Sequence, residues 1–365
     1  MHVGMSMVFQ SPQRQITDQQ VYLNELALAD QAEPLGFQSV WGVEHHFTDY
    51  TMCPDVMQFL SYMAGRTQHV QLGSMVMVLP WHDTIRAAEQ ISMLDNLSGG
   101  RTILGIGRGL ARFEFDGFGL DMSESRGRFL ESAKTLINGL EQGYCEFEGR
   151  FVKQAKRDIR PAPIKSFRGR TYAAAVSPES SQVMAELGVG LLIIPQKPWE
   201  DTETELEKYR RIFREVNGEE APPPVVVGFT YCDEDEVKAE EMARRYVGGY
   251  WESVMDHYEI RAGHFQATRG YEYYSKMTEK VSEYGEDDVK DFFLNLQAYG
   301  LAELFPLFCS RAAWRNGTAA GAADGATMVN NGGLGLTPAQ IGRALIPLAC
   351  TLFLTSPILC NRGGN

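Results

Sequence analysis

Short apolar runs that do not alternate recur along the first two thirds of the chain. Each is followed by a longer stretch in which apolar residues return every three or four positions. The runs lie at 2–8, 39–43, 70–80, 101–107, 170–176, 190–195 and 224–232; the stretches between them predict helices at about 19–34, 54–66, 84–97, 125–141, 178–187, 199–216 and 235–255. Strands without alternation are buried on both faces, as in a parallel sheet covered by helices. Seven such βα units can be counted, which favours the α/β class and a (β/α)8 TIM barrel over a doubly wound sheet, with the final βα unit unaccounted for.

Two segments interrupt the rhythm. Residues 144–154 alternate around Gly149 and predict a surface hairpin inserted after the fourth helix. Residues 257–300, rich in Tyr, Lys and Glu, are long for a βα loop and are expected to form a lid beside the active-site face. The barrel is therefore expected over 1–300. From 301 to 365 the chain has six charged residues and no lysine, a shift read as a frameshifted or mis-joined 3′ end. The apolar run 344–359 is short and carries two prolines, so no membrane anchor is expected.

Composition narrows the partners. The 365-residue chain carries a net charge of −13, with its Lys and Arg scattered, which argues against nucleic acid. The start "MHVGMSMVFQ" reads as a first strand without a basic flank and long apolar core, so a cytoplasmic location is expected. Six cysteines form no CxxC pair and no zinc-ligand spacing, which predicts reduced thiols and no metal.

Two motifs carry candidate chemistry. "GIGRGL" (105–110) follows the fourth strand and does not fit the GxGxxG dinucleotide pattern. It is either a tight turn with a solvated arginine, or a close backbone approach with Arg108 offering a fork to a phosphate or carboxylate. "WGVEHHFTDY" (41–50) places Glu44, His45 and His46 after an apolar run. Along an extended strand the two imidazoles point to opposite faces and cannot easily share a metal. One facing the barrel mouth can carry a proton near neutral pH, while the other is equally readable as structural. His69 and His82 read as structural or rim residues.

The segments "EPLGFQSVWGVEHHFTDY", "LGSMVMVLPWHDTIRAAEQISMLDNLSGGR", "LGIGRGLARFEFDGFGLDMSESRGRF" and "AAAVSPESS", in that order, resemble the bacterial luciferase-like monooxygenase family of flavin-dependent (β/α)8 enzymes. The likeness spans roughly 1–300 and lies nearer the luciferase and alkanal monooxygenase side than the deazaflavin (F420) side. It implies that Arg108 and Arg126 hold the phosphate of reduced FMN, completed by Ser177 and Ser180 at a helix start. It also implies that Met75 and Val76 form a backbone bulge, often a non-proline cis peptide, against the flavin ring, with Glu44 beside it. His45 matches a histidine implicated as a base in the oxygen chemistry, and His46 is its neighbour.

The reaction so implied is FMN-dependent monooxygenation, with O2 as co-substrate and a small organic substrate such as an aldehyde, ketone or terpene. A separate NAD(P)H flavin reductase and a homodimer through the helices near 54–97 are the implied partners. An F420-dependent oxidoreductase and a non-catalytic flavin-binding protein are the alternatives. Two positions depart from the pattern: Gly107 stands at the reactive-thiol position of the light-emitting members, and Val176 at an acidic position of the flavin site. Light emission is not expected, and Gly107 is expected to leave more room near the flavin.

Overall fold

The computed structural model describes residues 2–11, 14–175, 178–194, 199–231, 249–250, 252–275 and 349–355. Strands β1 (His2–Met7), β2 (Ser39–Gly42), β3 (Gln71–Ser74), β5 (Thr102–Gly107), β8 (Thr171–Ala174), β9 (Gly190–Ile193) and β10 (Val225–Tyr231) pair in parallel, each with the next. Helices α1 (Asp18–Ala29), α2 (Val56–Arg66), α3 (Thr84–Leu97), α5 (Ser125–Gln142), α6 (Pro178–Glu186) and α7 (Trp199–Asn217) cover the outer face. The short strand β4 (Met77–Val78) adds to β5, and the short helix α4 (Arg112–Gly117) follows β5. This is the α/β barrel that the βα rhythm predicts. Most of the helix predicted at 235–255 lies outside the described residues.

The eighth position is taken by β11 (Ala349–Thr355), which runs antiparallel to both β1 and β10. Gly4 faces Phe353 on one side, and Gly228 faces Leu352 on the other. Together with the β3–β5 pairing this closes the ring. The strand that closes it has the opposite direction from the other seven strands of the ring, where an eighth βα unit would have placed a parallel one.

Local signals explain the helix boundaries. The side chains of Thr17, Asp55 and Asp83 accept hydrogen bonds from the amides of Gln20, Gln58 and Arg86, capping α1, α2 and α3. The run 70–80, read as one strand, divides at Met75–Val76 into β3 and β4 and then a 3-10 turn. The hairpin pairs β6 (Tyr144–Glu148) with β7 (Lys153–Asp158) and so extends past the predicted end at 154.

Inside the barrel, small residues leave room for large ones. A Cβ on Gly4 or Gly73 would overlap the Trp41 ring, whose Nε1 donates to Ser39 Oγ at 2.8 Å. Trp41 packs with Ile103, Tyr172, Leu192 and Val225, filling the axis below Met75 and Val76. Outside, the buried Asp95 of α3 takes Arg170, the residue before β8, at 2.6 Å. No helix among the described residues is long and apolar enough to cross a membrane.

Candidate active site

Residues 43–46 leave β2 in an irregular conformation, so strand alternation is not what separates the two histidines. Each ring is held by its own partners. Glu44 is buried, and its Oε2 accepts from the Val78 amide at 2.8 Å. Its Oε1 lies 2.6 Å from His82 Nε2 and 3.4 Å from His46 Nε2. Burial alone would raise the Glu44 carboxyl, but the hydrogen bonds from His46, His82 and the Val78 amide bring it below its ordinary value. Burial pulls His82 down, and Glu44 more than reverses this, raising it. His46 also packs edge-on against Trp81 and Phe118. Glu44 thus ties three segments together, and His46 is one of its ties.

His45 faces elsewhere. Its Nδ1 lies 3.2 Å from Glu114 Oε1 and 3.1 Å from His257 Nε2, while its Nε2 lies 3.3 Å from the Tyr258 hydroxyl. Glu114, on α4, is fully buried and also accepts from the His46 amide at 2.7 Å. His257 Nδ1 is 2.9 Å from Thr48 Oγ1. Burial would raise Glu114, yet the neighbouring His45 and His257 take it down to about 2. Burial pushes His257 down to about 4 despite the opposing pull of Glu114. At neutral pH the cluster therefore holds an ionised carboxylate beside a neutral His257.

One cavity of about 260 Å³ joins the predicted residues: Glu44, His45, Met75, Val76, Arg108, Arg126 and Ser180 all line it. The Met75–Val76 peptide is cis, the feature that the resemblance implies there. Gly109, at φ 83°, lets the chain turn tightly after β5 and carry Arg108 into the cavity wall. Arg108 Nη1 donates to the Gly270 carbonyl at 2.8 Å, and its guanidinium stacks 3.9 Å from the centroid of the Tyr271 ring. Arg126 lies 3.5 Å from Glu179, an exposed residue of the first turn of α6. A Cβ on Gly270 would fall within 4 Å of both guanidinium groups. Val176 and Ser177 lie outside the described residues.

One expectation fails. Gly107 leaves no extra room, because a Cβ there would overlap Val76 Cγ2: the valine occupies the space the glycine vacates. Sequence reading also missed Glu114, His257 and Tyr258. Glu114 stood in the quoted segment "LARFEFDGFG", and His257 is one of only seven histidines, but neither carries a local pattern.

The sequence profile described as luciferase-like monooxygenase matches residues 1–299. The chain belongs to this family. It is 29% identical over 269 residues to an alkanal monooxygenase alpha chain of Photorhabdus luminescens, covering 73% of this chain and 74% of that protein. It is 27% identical over 232 residues to the oxygenase component of the flavin-dependent trigonelline monooxygenase of Acinetobacter baylyi, covering 63% and 64%.

Among solved structures, the monooxygenase RslO1 of Streptomyces bottropensis superposes with a TM-score of 0.66 at 24% identity, covering 80% of this chain and 89% of that one. The oxygenating constituent of 3,6-diketocamphane monooxygenase of Pseudomonas putida, in complex with FMN, follows at 0.59 and 18%, covering 72% and 80%. An F420-dependent secondary alcohol dehydrogenase reaches 0.56 at 17%, covering 69% and 77%. These three likenesses establish the barrel fold.

Proposed function

We propose that the protein is the oxygenase of a two-component system: an FMN-dependent monooxygenase that receives reduced FMN from a separate NAD(P)H flavin reductase and uses O2 to oxygenate a small apolar organic molecule, an aldehyde, ketone or terpene-like compound. The observation that carries this reading is the single cavity that joins two arginines, the cis Met75–Val76 segment and His45. The donor set fits FMN. Two guanidinium groups and a serine in the first turn of α6 form a site for a compact dianion, beside an apolar wall that includes Met75, Val76 and Leu192.

Reduced FMN, when bound, supplies the electrons that activate O2. The chain's own residues do the rest. Arg108 and Arg126 would hold the phosphate, and Met75–Val76, fixed through the bond from the Val78 amide to Glu44, would support the ring. Glu114 accepts a hydrogen bond from the Nδ1–H of His45, which leaves His45 Nε2 as the basic nitrogen beside Tyr258 at the cavity wall. Val254, Ile260 and Phe265 line the same cavity and exclude water.

The test mixes the protein with reduced FMN, O2 and a panel of aldehydes, ketones and terpenes, and measures oxygenated product and hydrogen peroxide. Tighter binding of reduced F420 than of reduced FMN would move the protein to the deazaflavin oxidoreductases. FMN binding with no product from any compound would leave a flavin-binding protein. A homodimer through α2 and α3 belongs to the same reading, supported by the exposed Tyr62, Met93 and Leu97 on those helices, and light scattering checks it.

A further inference from the structure

His45, Glu114 and His257 bring three donor atoms together in a way that proton transfer does not require. His45 Nδ1, His257 Nε2 and Glu114 Oε1 form a triangle with edges of 3.1, 3.2 and 3.6 Å. In a tetrahedral zinc site with bonds of about 2.0–2.1 Å, ligand atoms stand about 3.3–3.4 Å apart, so the triangle already has the size of one tetrahedral face.

The outer contacts are also those of a ligand set. His257 Nδ1 is 2.9 Å from Thr48 Oγ1 and His45 Nε2 is 3.3 Å from the Tyr258 hydroxyl, so both rings can donate their remaining N–H away from the triangle. In those tautomers two imidazole lone pairs and a carboxylate oxygen face one another with nothing between them. Glu114 Oε2 is a second acceptor of the same carboxylate, buried without a hydrogen-bond partner among the described residues. The side chains of Glu114 and His257 are 0% and 1% exposed, while His45 is 17% exposed and lines the cavity, which provides the way in.

We propose that His45, Glu114 and His257 form a binding site for a divalent cation of the Zn²⁺ class, and that an ion seated there takes His45 out of proton transfer. Imidazole and carboxylate ligands suit Zn²⁺, and three protein ligands leave a fourth position open toward the cavity. The ion and the proton on His45 Nδ1 compete for one place. The second half of the proposal rests on the role assigned to His45 above; the first half does not, and binding is measured without turnover.

The full-length protein, stripped with a chelator, is titrated with Co²⁺ and followed by its visible absorption, and Zn²⁺ is then added as competitor. One Co²⁺ per chain with the intense spectrum of a tetrahedral or five-coordinate site, displaced by Zn²⁺, is the expected result. His257→Gln and Glu114→Ala should each weaken Zn²⁺ by at least about 100-fold. Thr48→Val, which leaves all three ligands in place, should weaken it by about 10-fold. His69→Ala, an exposed histidine, is the control and should change nothing. A metal-free thermal melt of each variant shows whether it is folded, and if the ligand variants are not, Thr48→Val decides. Zn²⁺ affinity unchanged in the folded His257→Gln or Thr48→Val protein would place the ion elsewhere and overturn the site. So would the absence of binding below millimolar Zn²⁺.

Discussion

A Cβ on Gly107 would overlap Val76 Cγ2, so these two positions share the space of a single side chain beside the cavity. Gly107 at the end of β5 is thus paired with a branched residue that lies between β3 and β4. Gly107→Ala is expected to lower stability by about 1–3 kcal/mol, the usual cost of overpacking. Combining it with Val76→Ala should recover part of the loss. Thermal unfolding of both variants checks this, and a Gly107→Ala protein that melts like the parent would show that Val76 yields freely.

In the proposed flavin site, Arg108 and Arg126 can be separated from the rest by choice of ligand. Replacing either with Ala should weaken FMN by roughly 10- to 100-fold while riboflavin binding stays within a few fold, because a lost charge-assisted contact is worth about 1.5–3 kcal/mol and only FMN carries the phosphate. Fluorescence titration with both ligands makes the comparison. Equal weakening of the two would remove the arginines from phosphate binding.

His45 and His46 should fail in different ways. His45→Ala is expected to keep FMN affinity within a few fold while oxygenated product falls by about 10²–10⁴ and hydrogen peroxide rises in its place. His46→Ala removes a partner of the buried Glu44 and an aromatic contact with Trp81 and Phe118, so its main effect should be a lower melting temperature. Unchanged coupling of product to peroxide in His45→Ala would return His45 to a structural role.

Glu25 gives a pH dependence that lies away from the cavity. It is fully buried on α1, accepts from the Val8 amide at 3.2 Å, and burial pushes its carboxyl up to about 8. The folded state therefore keeps a proton that the unfolded chain gives up near its ordinary value of 4.5. Stability contributed here falls as pH rises from about 4.5 to about 8, by at most ~1.4 kcal/mol per unit, and is flat above that. Glu25→Gln should remove the decline and be more stable than the parent at pH 8. Urea melts across that range measure it, and parallel pH profiles for the two proteins would refute it.

The tail offers a sharper choice. If 301–365 is a mistranslated end, limited proteolysis should remove it first and leave a core near residue 300 with an unchanged melting temperature. If β11 completes the sheet, a chain ending before 349 exposes the edges of β1 and β10 and should melt lower and aggregate. Whether the truncated protein melts lower than the full chain distinguishes the two.

What was legible in the sequence follows from how far each interaction reaches along the chain. Glu44, Arg108 and Met75–Val76 sit at strand ends inside short motifs, so local pattern and resemblance located them. Glu114 and His257 lie 69 and 212 residues from His45, and they meet it only because the barrel brings its loops to one mouth. Gly107 misled for a related reason. A glycine signals space, but the side chain that fills the space, Val76, comes from the link between β3 and β4.

Trp41, packed on the axis against Gly4 and Gly73, makes the barrel a cup and not a pipe. On the proposed reading, cofactor and organic molecule share the one cavity that Ile260, Phe265 and Tyr274 help to line. Sharing one cavity imposes an order. If Arg108, stacked on Tyr271, holds the flavin phosphate, reduced flavin enters first and the organic molecule closes the way behind it. Steady-state patterns should accordingly show compulsory-order kinetics, and an excess of the organic molecule should trap spent flavin inside and slow the next turnover.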